Sequence, residues 1–460
     1  MFENVNNPVY IFQDISLKVQ QYIVKFDQTY QLSVMNQNTI TQQTKTRHEQ
    51  VLETIDEVTI ISSSLGIAQL EVQDKEIHGA SIQVNGKKVV NFGSCSYLGL
   101  EKHPSIVQGV VDAVTNYGSQ FSSSRAYASV TLYTEAENLL EEIFERPILL
   151  APTVTLGHLS NIPVLVGDRD AVILDLQVHA CVQTASQLIK ARGVHVELIR
   201  HNRMDILEER ILELSEKFEK IWYMADGVYS MYGDFLPIDD LYKLLDKYPQ
   251  FNLYVDDAHG TGWAGKNGTG YVLSKKPFHE RLFLVAGLAK SFAACGGVLV
   301  FPDEKIKRKV RNCGGTFIFS GPIQPPMLGA IIASAKIHLS EEIKGRQMEL
   351  QKRVDYFVET CKQLNLPLIG ESNSPIFFIG VGKPAVGYNM VTRIMNKGFY
   401  INLSVFPSVP YKNTGLRIPL TTNHTFEEIY NLLTIISEQL PFALKDNNSS
   451  MQEIYRAFKM

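Results

Sequence analysis

Apolar residues recur at two spacings along this chain, and the spacings divide it into elements. Leu207, Ile211, Leu214 and Phe218 repeat every three or four residues, as a helix with one buried face requires. Ser105 to Tyr117, Thr134 to Phe144 and Leu241 to Tyr248 also read as amphipathic helices. Between them lie short apolar runs: Ala171 to Leu176, Trp222 to Ala225, Leu253 to Val255 and Leu282 to Ala286. Uninterrupted runs of that length mark strands buried on both faces. The alternation of helix and strand from about Pro104 predicts an α/β fold with a mainly parallel central sheet covered by helices. In such sheets chemistry collects beyond the strand carboxyl ends.

The two ends of the chain read differently. Asn36 to Gln50 is a polar Gln/Asn/Thr stretch flanked by weakly helical segments, Ile11 to Tyr30 and Glu49 to Ile60, and this region reads as a packing arm or dimer brace. Ser81 to Val90 predicts a hairpin, because Asn85-Gly86 readily takes the positive φ angles of a type I′ turn. Beyond Pro325-Pro326 a helical stretch runs to about Leu364 with a bend near Ser340. A smaller α+β unit follows: strand Pro375 to Val381, helix Tyr388 to Lys397 closed by Gly398, and strand Leu416 to Leu420. Its last helix opens on Thr425-Phe426-Glu427-Glu428, a capping-box pattern. The implied segments are an extension with hairpin (1–90), a large domain (91–330), a small C-terminal domain (331–445) and a tail (446–460).

Composition narrows the class. The 460 residues are 45% hydrophobic and 20% charged, with 44 Lys+Arg against 48 Asp+Glu, so no basic footprint for nucleic acid or anionic membrane is present. Cys95, Cys181, Cys295, Cys313 and Cys361 are odd in number and scattered, which argues against a disulfide framework or zinc site. No apolar run reaches the roughly 20 residues of a spanning helix, and the first residues lack a secretory pattern. The expectation is a cytoplasmic protein without a transmembrane segment.

Two strand ends carry candidate chemistry. Asp256-Asp257-Ala258-His259-Gly260-Thr261-Gly262 follows Leu253-Tyr254-Val255, and Lys290 ends the run that starts at Leu284. The spacing allows one βαβ-type excursion that returns both to the same sheet edge. A pyridoxal-5′-phosphate (PLP) enzyme needs such a pair. Its lysine forms the Schiff base, and a carboxylate against the pyridine nitrogen keeps the ring electron-poor. Gly260-x-Gly262-x-x-Gly265 also matches the dinucleotide fingerprint. However, Lys266-Asn267-Gly268-Thr269-Gly270 prevents the helix whose N-terminus should bind pyrophosphate, so that reading is rejected.

Several further motifs, in order, resemble the α-oxoamine synthases, PLP-dependent acyltransferases of fold type I, the aspartate-aminotransferase-like fold. The resemblance covers roughly Val89 to Leu440. It rests on Asn91-Phe92-Gly93-Ser94-Cys95-Ser96-Tyr97-Leu98-Gly99-Leu100, Gly157-His158-Leu159-Ser160-Asn161, His179-Ala180, Asp226-Gly227-Val228-Tyr229-Ser230-Met231-Tyr232-Gly233-Asp234, the Asp256–His259 segment, Lys290, Phe319-Ser320-Gly321-Pro322 and Gly415-Leu416-Arg417-Ile418. By that resemblance Lys290 is the Schiff-base lysine and Asp256 the pyridinium partner. His179 stacks on the ring, and His259 and Ser230 lie at the ring oxygen. The amides of Gly157 and His158 hold the phosphate, and Ser320 reaches it from the other subunit of a homodimer. Arg417 binds the amino-acid carboxylate, with Cys95 where the family usually has an asparagine nearby.

The reaction so implied condenses an L-amino acid with an acyl thioester, acyl-CoA or an acyl-carrier protein. Decarboxylation then gives an α-amino ketone. Departures concentrate at substrate and phosphate contacts: Cys95, the bulky run Gly118 to Arg125, Tyr133 in place of a histidine, and Gly287, which lacks the hydroxyl expected three residues before the lysine. Ser291 or Ser320 could replace that hydroxyl. Another PLP reaction such as transamination, or a catalytically silent subunit of the same fold, are the alternatives. Retention of Lys290, Asp256 and His259 together argues against the silent one.

Overall fold

The computed structural model describes residues 45–370 and 373–460. The helical segment expected at Ile11 to Tyr30 and the polar stretch up to position 44 lie outside the described residues. The chain divides into two compact units. One combines the residues up to Asn91 with Gly380–Leu416 and Ile435–Met460; the other combines Phe92–Ile379 with Arg417–Thr434. These units cut across the four expected segments. The expected tail holds a helix, Met451–Phe458, anchored by buried Ile454. A boundary read along the chain misses strands that pair across hundreds of residues.

Strands are numbered along the chain: β1 Ser81–Val84, β2 Lys87–Phe92, β3 Ile148–Ala151, β4 Ala171–Asp175, β5 His195–Ile199, β6 Ile221–Asp226, β7 Phe251–Asp256, β8 Leu282–Gly287, β9 Gly297–Val300, β10 Ile376–Gly382, β11 Phe399–Ser404 and β12 Thr414–Pro419. One sheet runs β3-β9-β8-β7-β6-β4-β5 and a second runs β1-β2-β11-β12-β10. In the first, β5, β4, β6, β7 and β8 are parallel, while β9 lies antiparallel to both of its neighbours. Every residue of β6, β7 and β8 is buried, which is why their sequences are mostly apolar rather than alternating. The edge strand β5 is only partly covered; its mixed sequence hid it from the apolar-run pattern.

Local signals held where they were physical rather than compositional. Asn85 (φ 50°) and Gly86 (φ 71°) make the hairpin turn between β1 and β2. Thr425 and Glu428 exchange both bonds of the capping box, at 2.8 and 3.1 Å. The expected bend at Ser340 is a full break between helices Pro325–His338 and Glu342–Gln363. The helix expected from Glu49 instead starts at Arg47, because Thr46 and Glu49 form a capping box of their own.

Within the larger unit, helix Pro104–Tyr117 packs on helix Pro325–His338 through a pair of glycines. A Cβ on Gly329 would sit 2.0 Å from the Gly109 carbonyl oxygen, which backbone cannot easily yield. Gly329→Ala should therefore destabilise the protein by about 1–3 kcal/mol, the usual cost of overpacking. Chemical denaturation checks this; an unchanged midpoint would mean that the two helices separate freely.

Candidate active site

Three adjacent strand ends build the site. The β6–β7 register sets Asp226 beside Asp256, and β8, parallel to β7, ends at Gly287, just before Lys290. Two buried carboxylates this close do not both ionise readily. Burial, and then the neighbouring Asp256, push Asp226 well above the usual carboxylate range. Asp256 moves the opposite way. Burial opposes its charge, but His158, hydrogen-bonded to it, and the neighbouring Lys290 hold it below the usual range. Environment thus gives the two acids opposite protonation states.

Asp256 is held at both oxygens. Oδ1 accepts the Ala258 amide at 3.0 Å, and Oδ2 meets His158 Nε2 at 2.8 Å and the Cys181 thiol at 3.8 Å. The other ring nitrogen of His158 meets the Tyr254 hydroxyl at 2.8 Å, and both side chains are fully buried. His158, Cys181 and Asp256 bring ligand atoms within 4.8 Å of one another, a metal-like set. However, burial and Asp256 push the Cys181 thiol up, so the thiolate a metal would need is disfavoured. The group is a hydrogen-bond network around Asp256.

His179 caps the helix Ala180–Lys190 that follows β4. Its Nδ1 accepts the Cys181 amide at 3.3 Å, and its backbone amide donates to Asp226 at 3.0 Å. Burial lowers its pKa, although the residue keeps an exposed face. A neutral ring in that place can lie against a planar group. His259 Nδ1 meets the Tyr97 hydroxyl at 2.7 Å. Burial, Lys290 and Arg417 hold His259 well below its ordinary value, so it is neutral as well. With Tyr97 as the donor, the His259 proton sits on Nε2.

Arg417 completes the cluster. Its Nε donates to the Ser230 carbonyl at 2.6 Å, its Nη2 to Cys95 Sγ at 3.5 Å, and it also donates to Tyr97. The side chain is only 7% exposed, yet no carboxylate pairs with it among the described residues. An unneutralised buried guanidinium is costly unless it has an anionic ligand to meet.

The sequence-read residues divide accordingly. Lys290, Asp256, His179, His259, Ser230, Arg417 and Cys95 are brought together. Gly157 and His158 lie inside the helix Val154–Leu165 rather than at its open end. Thr153 caps the helix Val154–Leu165, and Gly157 N donates to Thr153 O at 2.9 Å, so that amide is spent inside the first turn. The helix starts three residues before Gly157, which leaves the Val154 and Thr155 amides at its open end. What His158 contributes is its imidazole. No hydrogen bond joins Ser320 to the cluster among the described residues; it ends the short helix Gly315–Phe319, which Thr316 ties to Ser160 and Leu156.

At position 287 no side chain fits, since a Cβ would lie 2.7 Å from Ala258 Cβ. The Ser291 Oγ is buried without a hydrogen-bond partner among the described residues, and its Cβ faces Gly262. One glycine of the dinucleotide-like run, Gly260, also finds another use. Gly227, Gly260 and Gly270 leave room for the Asp257 carboxyl, where a Cβ would come within about 2.2–2.4 Å, and burial pushes Asp257 up to about 8. Sequence reasoning missed Tyr97, Tyr254, Cys181 and the His158 ring. Tyr97 lay within a quoted motif, but no spacing rule pairs it with a histidine 162 residues away.

Replacing His158 by leucine, similar in size, should strand the Asp256 charge and lower the unfolding free energy by about 3–5 kcal/mol. Adding Asp256→Leu should restore part of that loss. Denaturant titration of both variants reads this, and equal losses in the two would sink the pairing.

The arrangement agrees with three comparisons. The family model described as aminotransferase class I and II matches residues 87–436. 8-Amino-7-oxononanoate synthase from Alkaliphilus metalliredigens (strain QYMF) is 31% identical over 355 residues, 76% of this chain and 87% of that protein. Serine palmitoyltransferase from Bacteriovorax stolpii is 28% identical over 366 residues, 79% and 85% of the two chains. A variant of serine palmitoyltransferase from S. paucimobilis, solved with PLP and myriocin bound, shares the fold with a TM-score of 0.78 at 21% identity, covering 87% of this chain and 99% of that one. With the strand-end cluster of Asp256 and Lys290 already in place, these matches establish that the chain belongs to the class I and II aminotransferase family, with PLP-dependent fold type I, and within it to the α-oxoamine synthases.

Proposed function

We propose that this chain is a PLP-dependent acyltransferase that joins an L-amino acid to an acyl thioester, releasing CO2 and the free thiol and yielding an α-amino ketone. The observation that carries the substrate side is Arg417: a buried guanidinium without a carboxylate partner among the described residues, fixed by Ser230 and Tyr97. Its planar fork suits a carboxylate.

The donor set fits the cofactor. Bound PLP supplies an aldehyde for the amine and an electron-poor ring that holds the charge left when a proton or CO2 departs from the α-carbon. Lys290 would hold it covalently, and ionised Asp256 would face the pyridine nitrogen, kept charged by His158. Neutral His179 would lie on one ring face, and Nε2 of His259 would donate to the ring oxygen. The open amides at the start of helix Val154–Leu165 suit the phosphate. The Lys290 amine would also move the α-proton of the substrate. Arg417 meanwhile holds the carboxylate that later leaves as CO2. A homodimer with shared sites, in which Ser320 serves the neighbouring subunit, belongs to the same proposal. Among the described residues no helix is long and apolar enough to cross a membrane.

Visible absorbance of the purified protein, titrated with single L-amino acids, tests this reading. A cofactor band absent in Lys290→Ala and shifted by one amino acid is the expected outcome. Arg417→Ala should weaken that amino acid about 10–100-fold, the loss of a charged hydrogen-bonded contact, with the band itself intact. Amino-acid conversion without any acyl donor, leaving the cofactor as its amine form, would instead assign transamination.

A further inference from the structure

A second charged cluster lies at the end of β4, two strands from Asp256, and the reaction above does not use it. His201, in the turn after β5, bridges two carboxylates: Nδ1 to Asp175 Oδ1 at 2.8 Å and Nε2 to Asp234 Oδ2 at 2.7 Å. A carboxylate offers only acceptors, so both ring nitrogens must donate and the ring is an imidazolium. Asp175 is fully buried at the end of β4, and its oxygens also accept the Gln177 amide at 2.8 Å, the Asn202 amide at 2.9 Å and the Tyr223 hydroxyl at 2.9 Å. With three neutral donors around it, its charge is balanced by His201 alone among the described ion pairs. On the other side, Asp234 closes a tight turn: Tyr229 N donates to Asp234 O at 2.9 Å, and Gly233 N to Tyr229 O at 3.0 Å. That turn carries Ser230, whose carbonyl receives Arg417 Nε at 2.6 Å.

We propose that His201 is a cationic clasp that positions Arg417: bridging Asp175 to Asp234, it fixes the Tyr229–Asp234 turn and with it the Ser230 carbonyl that aims the guanidinium. His201 is a positioning residue, since it acts through the turn. The groups facing it are Asp175 from β4, Asp234 and Tyr229 from the turn, and Tyr223 from β6, with Asp226 at the end of the same strand. Tyr229 packs edge-on at 4.4 Å; it and Tyr223 are held far above their ordinary values by burial and stay neutral. Burial works against the imidazolium, but the two carboxylates outweigh it and raise His201 from 6.5 to about 9. A folded-state value above the unfolded one means that the clasp contributes fully below about pH 6.5 and is lost as pH rises through about 9. Neutral His201 can donate to only one of its two carboxylates, so the turn is released on one side.

The role in substrate binding rests on the amino-acid reading of Arg417; the clasp itself does not, and the test separates them. Hydrogen exchange of the holoenzyme, corrected for the intrinsic pH effect, is followed for peptides covering 227–236, with 148–165 as an internal control. In wild type the 227–236 peptides should exchange at least about tenfold faster at pH 10 than at pH 7, with the control unchanged. His201→Gln should already be fast at pH 7 and insensitive to pH. Asp234→Asn, at a half-exposed position that should not impair folding, should behave likewise. In parallel, absorbance titrations with L-alanine and L-serine should show affinity falling about tenfold across the same pH window in wild type, and no such fall in His201→Gln. Equal exchange at both pH values, or exchange in both variants matching wild type at pH 7, overturns the clasp. If the turn opens as expected while neither amino acid shifts the band at any pH, the clasp stands and the amino-acid reading of Arg417 fails. If either amino acid binds with no pH dependence in that window, the link from turn to Arg417 is overturned.

Discussion

Keeping one carboxylate charged at the end of a buried strand is the constraint on which the rest of the site depends. Asp256 loses nearly all its contact with water, and burial alone would neutralise it. The protein answers with an imidazole at 2.8 Å, an amide at 3.0 Å and the field of Lys290, while Asp226 alongside takes up the proton instead. Nearly every polar group of the inner site follows from that division. His158 needs Tyr254 behind it, and His179 hangs by its amide from the protonated acid.

The same solution recurs two strands along the sheet with the roles exchanged. Asp175 terminates β4 as Asp256 terminates β7, and each takes a histidine against a buried carboxylate oxygen. Around Asp256 the histidine ring ends on a tyrosine hydroxyl; around Asp175 it ends on a second carboxylate, which forces the double protonation. The first pair lies at the strand end nearest Lys290, and the second borders the turn that carries Ser230. Parallel sheets place such ends side by side, so several acids must be managed within a few ångströms.

Substitutions that looked like losses in the motifs have local causes. Gly287 is enforced by Ala258, which leaves no room for a side chain, and its amide faces Thr261 Oγ1 at 3.4 Å. Tyr133, standing for a histidine, accepts the Ile323 amide at 2.5 Å and lies under the Arg125 guanidinium, 3.8 Å from its ring centre. Arg125 in turn pairs with Glu137 at 2.8 Å. The bulky run before it is thereby tied to the segment that leads to Ser320, through Ser124 and the Ile318 carbonyl at 2.6 Å.

The sequence by itself determined the α/β class, the buried parallel strands, the hairpin at Asn85-Gly86 and the capping box at Thr425, since each depends on neighbours a few residues away. It also determined which strand ends bear Asp256 and Lys290, because apolar runs report where strands stop. Only the tertiary structure decided how the charges settle. Whether Asp226 or Asp256 keeps its proton depends on His158, about a hundred residues away along the chain, and on burial that no local pattern encodes. The helix Val154–Leu165 opens three residues before Gly157, a difference that turns on one side-chain bond, Leu156 N to Thr153 Oγ1 at 3.0 Å. His201 carried no sequence signal at all, because its meaning lies in two carboxylates 26 and 33 residues distant that meet it only once the sheet has formed.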